Sequence, residues 1–402
     1  MLLSGVRVLD LTQYLSGPSS TRMLAALGAD VIKVEFGPDG DPARLLPIIQ
    51  NGRSAYYVQQ NRGKRSIGVD LNQPAGHELV AELAGECDVF AENFGPGVLE
   101  KRDLDYDSLS ARYPGLIYAS ISAFGREGVL SHLPGYDLMG QALSGMMSIT
   151  GDEDGPPQFT GSPIADVAAG MMLFGAIGHA LFHRERTGRG QRLESTLVDS
   201  VFAMHSIAVH GHSVTNGEFT QRRTGTQFGM VIPSGTYRGP DGWVVIQVLD
   251  RQWPRFCEAM ARKDLTTDPM FSSATSRVEN SDALVDLVHD WMATFPDNEA
   301  LLAHLQEWRV PAAPVLDPTE AIDHPYFRER KMVVDVTDPI LGTFAVPGMP
   351  AKFSDLPDDT EEPPAPFLGQ HNSEVCSEVL GYDADQVNDL VERGVLMAEP
   401  LP

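Results

Sequence analysis

Residues 135–190 read GYDLMGQALSGMMSITGDEDGPPQFTGSPIADVAAGMMLFGAIGHALFHRERTGRG, and one long helix inside this stretch organises the chain. Ser162 followed by Pro163 is a helix-start signal, because a hydroxyl caps the first turn and the fixed φ of proline suits the first helical position. From Val167 to Phe182 the side chains are uncharged, apart from His179 when it is protonated. The stretch therefore predicts a mostly buried core helix with Asp166 in its first turn.

Asp166 is the one carboxylate of this apolar helix start. A carboxylate in a first turn is stabilised in its charged form by the helix dipole and by unpaired backbone N–H groups. We therefore expect Asp166 to stay ionised, and an ionised, partly desolvated carboxylate is a candidate nucleophile. The other interpretation is that Asp166 only caps the helix, because acidic residues are common in first turns. The residues alone leave both interpretations open.

Composition limits the class of protein. The 402 residues carry a formal net charge of −25, from 55 acidic and 30 basic side chains, so we expect neither nucleic acid nor anionic membrane as a partner. Cys87, Cys257 and Cys376 lie far apart without metal-type spacing, which predicts a reducing cytoplasm and no metal site. The N-terminus lacks a signal-peptide pattern, and the apolar run after Asp166 is too short and too rich in glycine to predict a membrane span.

The first 121 residues alternate between apolar and helical segments. This β-α-β order predicts an α/β fold with a Rossmann-like parallel sheet. The first turn contains no GxGxxG, so the dinucleotide fingerprint is absent. Turns at the carboxyl ends of such strands still form the natural ligand crevice. The predicted strands are Val6–Thr12, Asp30–Glu35, Ser66–Leu71, Asp88–Glu92 and Leu116–Ile121.

Two domains are predicted. Residues 1–219 form the first part of the large domain, 220–325 a smaller α+β domain, and 326–402 return to the large domain and end in helices. Residues 192–210 are predicted to be one long helix at the end of the first part, because apolar residues recur there at helical spacing. Those residues are Leu193, Leu197, Val201 and Met204.

The motifs GYDLMGQALSGMMSITG, SPIADVAAGM and HRERTGRGQ resemble the core signature of the class III CoA-transferases, the family of formyl-CoA transferase and carnitine CoA-transferase. The resemblance covers nearly the whole chain. It implies an acyl-CoA:carboxylate CoA-transferase in which Asp166 is the nucleophile and forms an aspartyl anhydride and then an aspartyl-CoA thioester. It also implies an intertwined homodimer of interlocked chains and no permanently bound cofactor, with a CoA thioester and a carboxylic acid as substrates.

The resemblance also implies a CoA site on the turns that follow the strands. Phe36 stands where the family often has an arginine, so the matching phosphate contact is expected to be missing or to come from Arg22, Arg65 or Arg102. A pair formed by a tyrosine and an acid is expected near the thioester. The residues implied for the site are Leu15, Ser16, Val69, Asn72, Asn93, Phe94, Gly95 and Lys101, with Tyr136 and Asp137 as the pair.

Three other functions remain open. An α-methylacyl-CoA racemase-like isomerase would share the fold, but related racemases have GHD where residues 135–137 read GYD. Tyrosine titrates near about 10 and is a poor partner for proton exchange at neutral pH. A CoA-binding scaffold without activity is the second alternative. A serine thioesterase is the third, although the chain has no G-x-S-x-G.

The sequence does not specify the acyl group. Arg44, Arg53 and Arg223 are candidates for binding the second carboxylate of a dicarboxylate such as succinate. A bulky hydrophobic acid is the rival acceptor.

Overall fold

The computed structural model describes residues 1–356 and 362–401, which fall into two compact units. Relative to the predicted domain boundaries, residues 147–159 and 207–219 also belong with the smaller unit. The first unit comprises Met1–Met146, Thr160–Ser206 and Pro325–Pro402, and the second comprises Met147–Phe159 and Ile207–His324.

The strands predicted from the sequence are all present, with ends displaced by one or two residues. The segments before and after the second unit add further strands to the first unit. The strands are β1 Arg7–Asp10, β2 Asp30–Glu35, β3 Ile49–Gln50, β4 Arg53–Ser54, β5 Arg65–Val69, β6 Val89–Glu92, β7 Ile117–Ser122, β8 Arg192–Thr196, β9 Ser234–Arg238, β10 Trp243–Gln247, β11 Ala312–Pro314, β12 Val333–Asp338, β13 Gly342–Pro347 and β14 Leu396–Met397.

The predicted helix over residues 192–210 is wrong. Its first residues form β8 in the sheet, and two short helices follow. The α-helices are α1 Ser16–Ala26, α2 Ala55–Asn61, α3 Pro74–Gly85, α4 Tyr106–Arg112, α5 Asp137–Leu143, α6 Ile164–Thr187, α7 Leu197–Phe202, α8 Ala208–Val214, α9 Trp253–Ala259, α10 Ala274–Glu279, α11 Ser281–Met292, α12 Asn298–Glu307, α13 Pro318–Asp323, α14 Pro325–Glu329, α15 Asn372–Leu380 and α16 Ala384–Glu392.

The main sheet of the first unit has the strand order β14-β5-β2-β1-β6-β7-β8. All neighbours pair in parallel except β14, which runs antiparallel to β5. Helices cover both faces of its central strands, so apolar residues such as Leu9 and Ile32 are fully buried, and the charged Asp10 and Lys33 are buried with them. The chain proceeds to one side of β1 through β2 and β5, and to the other through β6. The strand order therefore reverses between β1 and β6, which is where open α/β sheets bind ligands.

Helix α6 packs one face against the sheet and against α1. Leu173 and Ile177 lie on the buried face, and a Cβ atom at Gly170 would lie 2.3 Å from the Ser19 hydroxyl, so α1 and α6 approach closely. The opposite face is exposed at Met172 and Phe182, so the prediction of a mostly buried helix is right for one face only. Among the described residues, α6 is the one helix long and apolar enough to cross a membrane by length and composition.

The second unit has its own core. A three-stranded antiparallel sheet in the order β11-β10-β9 packs against helices such as α9, α11 and α12. Tyr237 and Val244 of the sheet and Phe256, Leu284 and Leu305 of the helices are fully buried. The unit therefore combines strands and helices around one core of its own.

Candidate active site

Asp166 lies in the first turn of α6, as predicted, but the helix is capped differently from the prediction. Pro163 is the N-cap residue, and Ser162 does not cap with its side chain. The cap comes instead from Asp137 of α5, whose Oδ1 accepts hydrogen bonds from the backbone N–H groups of Ala165 at 2.7 Å and Asp166 at 3.1 Å. An acid 29 residues earlier in the chain thus satisfies the free donors of α6.

Gln141 fixes the orientation of Asp137. Its Nε2 donates to Asp137 Oδ2 at 2.7 Å, and its Oε1 accepts from the backbone N–H of Thr160 at 3.0 Å. Gln141 is fully buried, and the two residues are four apart on α5, where helical side chains meet. Both carboxylate oxygens of Asp137 therefore accept hydrogen bonds, and the carboxylate is held at the N-terminus of α6, against the backbone of Asp166.

The pKa of Asp166 is raised from its usual value of 3.8 to about 6. Burial is the largest cause and the charge of Asp137 is the second, whereas a hydrogen bond from the Ser16 hydroxyl opposes both. Burial and the charge of Asp137 therefore outweigh the stabilisation expected from the helix start, whose backbone N–H groups at Ala165 and Asp166 are already occupied by Asp137. Asp166 is still mostly ionised at neutral pH, and it is a more basic carboxylate than an exposed aspartate.

A tyrosine also lies near this carboxyl. The pKa of Tyr56 on α2 is raised to about 12 by burial and by the charges of Asp166 and Asp41, so its hydroxyl stays protonated beside the site. Burial, Tyr136 and Asp41 raise the pKa of Tyr14 in the same direction. No local pattern in the sequence marks Tyr14 or Tyr56 as a site residue, since only the folded chain brings Tyr56 near Asp166 and Tyr14 near Tyr136.

The turns after β1 and β6 meet as the strand order requires. Leu15 and Ser16 are buried at the start of α1, where the Ser16 carbonyl lies against Gly170 of α6, the helix that carries Asp166. Asn93 follows β6, and its amide bonds to the backbone of Gln13 in the first turn. The implied site residues Leu15, Ser16, Asn93, Tyr136, Asp137 and Asp166 therefore come together in the first unit.

The remaining implied residues lie along the edge of the sheet. Val69 is fully buried at the end of β5, and Asn72 is exposed just beyond it. The turn carrying the exposed Lys101 lies beside them, because Arg102 Nε donates to the carbonyl of Leu71 at 2.9 Å. Val69, Asn72 and Lys101 thus form one group at the end of β5.

Phe94 and Gly95 join this edge to the Asp166 region. The ring of Phe94 lies against Phe36, with centroids 5.0 Å apart, so the position expected to hold an arginine is part of an aromatic pair. Gly95 is exposed, and a Cβ atom there would meet nothing within 4 Å. Together with Glu92 and Arg126, Gly95 lines a cavity of about 240 Å³.

The arginines considered for phosphate binding are all engaged within the chain. Arg22 is buried and faces Glu362, and the guanidinium of Arg65 binds Asp30 at 2.7 Å. Arg102 donates to backbone carbonyls. The interpretation that one of them replaces the arginine expected at Phe36 has no support in these contacts.

The arginines considered for a second carboxylate are engaged too. Arg44 pairs with Glu35 at 2.7 Å, and Arg53 is buried and pairs with Asp338 at 2.9 Å. Arg223 of the second unit donates to backbone carbonyls. The hypothesis that these three bind the distal group of a dicarboxylate is therefore wrong for Arg44 and Arg53, whose donors already have buried partners.

Comparison with known proteins gives consistent results. A family model described as CoA-transferase family III matches residues 3–372. The succinyl-CoA:mesaconate CoA-transferase of Haloarcula hispanica is 38% identical over 94% of this chain and 96% of its own length, and the formyl-CoA:oxalate CoA-transferase of Streptomyces coelicolor is 35% identical over 98% and 99%. Among solved structures, a CAIB/BAIF family protein from Brucella suis superposes with a TM-score of 0.81, at 34% identity over 94% of this chain and 99% of that one.

Proposed function

The chain belongs to CoA-transferase family III and transfers CoA between carboxylic acids, and on this premise we propose that Asp166 is the nucleophile of the transfer. The observation that supports this role is the environment of its carboxyl. It is partly desolvated, its pKa is raised to about 6, and it lies beside the buried and fully bonded Asp137. Such a carboxylate is ionised at neutral pH and more nucleophilic than an exposed one.

The proposed reaction has two symmetrical halves. An Asp166 oxygen attacks the carbonyl carbon of the acyl-CoA, the carbon–sulfur bond breaks, and an acyl-aspartyl anhydride and a CoA thiolate result. The thiolate attacks Cγ of Asp166 and expels the donor acid, which leaves an aspartyl-CoA thioester. The acceptor carboxylate then attacks Cγ and releases the thiolate, which takes the acceptor acyl group and frees Asp166.

The neighbouring side chains hold Asp166 ready for these steps. Asp137 accepts hydrogen bonds from the backbone N–H groups at the start of α6, so these groups do not bond to the carboxylate of Asp166, where they would reduce its nucleophilicity. Gln141 keeps Asp137 in place, and Ser16 at the start of α1 lowers the pKa of the Asp166 carboxyl. Holding the carboxylate in this way turns the attack on the thioester into a local step.

An isotope experiment tests the nucleophile. In the second half-reaction the acceptor oxygen that bonds to Cγ stays on Asp166. One turnover with succinyl-CoA and an acceptor carrying ¹⁸O in both carboxylate oxygens should therefore leave one heavy oxygen in the peptide that contains Asp166. Peptide mass spectrometry measures it, and labelled acceptor without succinyl-CoA is the control.

The outcomes separate the candidate functions. CoA transfer without label on Asp166 would refute the nucleophile. No CoA transfer, combined with loss of deuterium from the α-carbon of a labelled acyl-CoA, would indicate the racemase-like alternative. Net release of free CoA would indicate hydrolysis.

We propose that CoA binds along the turns after β1, β5 and β6. The proposal rests on the proximity of these turns at the carboxyl ends of the strands, and on the exposed cation of Lys101. Lys101→Glu should raise KM for the CoA thioester and leave kcat nearly unchanged. The residues proposed for this surface are Leu15, Ser16, Val69, Asn72, Asn93, Phe94, Gly95, Lys101, Tyr136 and Asp137.

We propose a dicarboxylate as acceptor. The support comes from the names of the relatives, since mesaconate and oxalate are both dicarboxylic acids. The test measures kcat/KM with succinyl-CoA for mesaconate, glutarate and oxalate, and for monocarboxylates of matched length. Preference for a long-chain monocarboxylate would refute the proposal.

We also propose a homodimer, interlocked as the resemblance implies. Several large apolar side chains of α5, α6 and α7 are exposed, among them Leu143, Met172 at 52%, Phe182 at 62% and Phe202. Large apolar side chains exposed on three neighbouring helices indicate an interface, and a second copy of the chain would cover them. Light scattering should give twice the chain mass, and Phe182→Glu should lower it. A monomeric wild type would refute the dimer.

The location proposed is the cytoplasm. Cys87, Cys257 and Cys376 are free thiols, and the last two are buried. Unpaired cysteines of this kind fit a reducing compartment.

A further inference from the structure

The turn between β1 and α1 has an unusual backbone. Tyr14 adopts φ of 65°, in the left-handed region that non-glycine residues seldom enter. Residues held in this region are kept there by their surroundings, and they occur preferentially at functional sites. Tyr14 is two residues before Ser16, whose carbonyl lies against Gly170 of α6, about one helical turn beyond Asp166.

Side chains from distant parts of the chain hold this turn. The Asn93 amide forms two hydrogen bonds with the backbone of Gln13: Oδ1 accepts from its N–H at 2.8 Å, and Nδ2 donates to its carbonyl at 2.8 Å. Asp41 Oδ1 accepts from the N–H of Tyr14 at 3.1 Å. The backbone that enters the left-handed residue, from Gln13 to the N–H of Tyr14, is therefore held by side chains that follow β6 and β2.

Buried charged side chains also hold the residues that precede this turn. Lys33 pairs with Asp41 at 2.8 Å and also donates to the Thr12 carbonyl at 2.7 Å; both charged side chains are buried. Asp10 accepts from the N–H of Thr12 at 3.0 Å and pairs with the fully buried Lys64 at 2.9 Å. Buried ion pairs add little net stability, but they impose one geometry on the groups they bind.

The turn and the start of α1 pack closely against each other. A Cβ atom at Gly17 would lie 2.3 Å from Cβ of Thr12, so the first helical turn packs directly on the strand end. A shift in the turn would therefore displace Ser16 relative to the first turn of α6, which carries Asp166.

We propose that Asn93 and Asp41 are positioning residues, which hold Tyr14 in its left-handed conformation and thereby set the Ser16 hydroxyl against the Asp166 carboxyl. This assignment rests on the proposed role of Asp166 as the nucleophile. It gives Asn93 a function through the Gln13 backbone, in addition to any contact with CoA.

The test compares pH profiles of kcat in Asn93→Ala, Ser16→Ala and the double variant, with succinyl-CoA and mesaconate. Asn93→Ala should lower kcat, by on the order of 100-fold at most, because misplacement near the reacting group is costly. It should also move the acid limb to higher pH, since the Ser16 hydrogen bond no longer opposes the raised pKa of Asp166. The titratable groups that bear on Asp166 are Asp137 of α5 and Tyr56 of α2, and neither is changed.

The double variant separates positioning from direct binding. Ser16→Ala should move the acid limb as Asn93→Ala does, and adding Asn93→Ala should produce no further movement. A rise in KM for the CoA thioester with kcat and its pH profile unchanged would overturn the proposal and leave Asn93 a CoA contact only. A further shift in the double variant would overturn it as well.

A second residue keeps the test informative if Asn93→Ala does not fold. Asp41→Asn retains an oxygen for the Tyr14 N–H but loses the ion pair with Lys33, and Asp41→Ala loses both. The acid limb should move more in Asp41→Ala than in Asp41→Asn, and equal profiles would contradict the positioning role. Failure of the proposed function is distinct, because wild type would then leave no label on Asp166.

Discussion

Replacement of Asp166 by asparagine should stabilise the protein at neutral pH. The folded-state pKa of about 6 exceeds the usual 3.8, so the fold prefers the protonated carboxyl. The stability that this preference contributes is fully present below about pH 4 and is lost as the pH rises through about 6. Asparagine is neutral at every pH and avoids the cost of burying the charge.

The magnitude follows from the two pKa values. The folded and unfolded pKa values of Asp166 differ by roughly two pH units, and each unit corresponds to about 1.4 kcal/mol, so the upper bound on the stabilisation is about 3 kcal/mol. Because Asp166 is partly exposed and water screens the charge of Asp137, we expect about 1–2 kcal/mol at pH 7.5. At pH 4 the two proteins should be equally stable.

Urea unfolding at matched protein concentration measures the effect at both pH values. Asp154→Asn is the control, because Asp154 is exposed and its replacement should change stability by no more than about 0.5 kcal/mol. An Asp166→Asn protein less stable than wild type at pH 7.5, or a stability difference independent of pH, would refute the desolvation argument. The same variant should lose CoA transfer, so stability and activity would change in opposite directions.

Three further predictions use other contacts. The kcat/KM of wild type should fall tenfold for each pH unit below about 6, as protonation removes the Asp166 nucleophile; a flat profile down to pH 5 would contradict this. Gly170→Ala should destabilise by about 1–3 kcal/mol, because its Cβ would lie 2.4 Å from the Ser16 carbonyl, whereas Gly175→Ala in the same helix meets nothing within 4 Å and should be neutral or stabilising in thermal unfolding. Arg126→Met should lower the free energy of unfolding by about 3–5 kcal/mol at pH 8 and by less at pH 6. The buried Glu92, whose pKa is already raised to about 7, would lose its ion-pair partner and would be charged at the higher pH only. Equal losses of stability at both pH values would exclude this cause.

The parallel sheet was predictable because its strands carry their own signal. Segments such as β1 and β2 are short and rich in valine, leucine and isoleucine between turn residues, and both faces of the sheet are covered, so the pattern and the burial agree. The strand β8 was missed because Leu193 and Leu197 happen to lie four residues apart, which imitates a helix. In the fold these leucines fall in different elements, and pairing of β8 with β7 outweighs the local spacing.

The candidate site was predictable at Asp166 and less so around it. The sequence placed this residue in the first turn of a helix, but it could not show that Asp137 caps the same turn, since that contact joins two helices across a loop. For the same reason the direction of the pKa shift was wrong. The neighbours Tyr14 and Tyr56 reach the site only through tertiary folding, and their local sequence has no distinguishing pattern.

The pairing of β14 with β5 has a consequence for synthesis on the ribosome. Val69 of β5 pairs with Leu396 of β14, so this edge of the main sheet cannot be completed until residues near 396 have been synthesised. At roughly 5–20 residues per second, the intervening stretch takes on the order of half a minute to be translated. During that time β5 presents an unpaired edge, which is a template for association between nascent chains. Chaperone binding to ribosome-bound intermediates should therefore persist until the last helix and strand emerge.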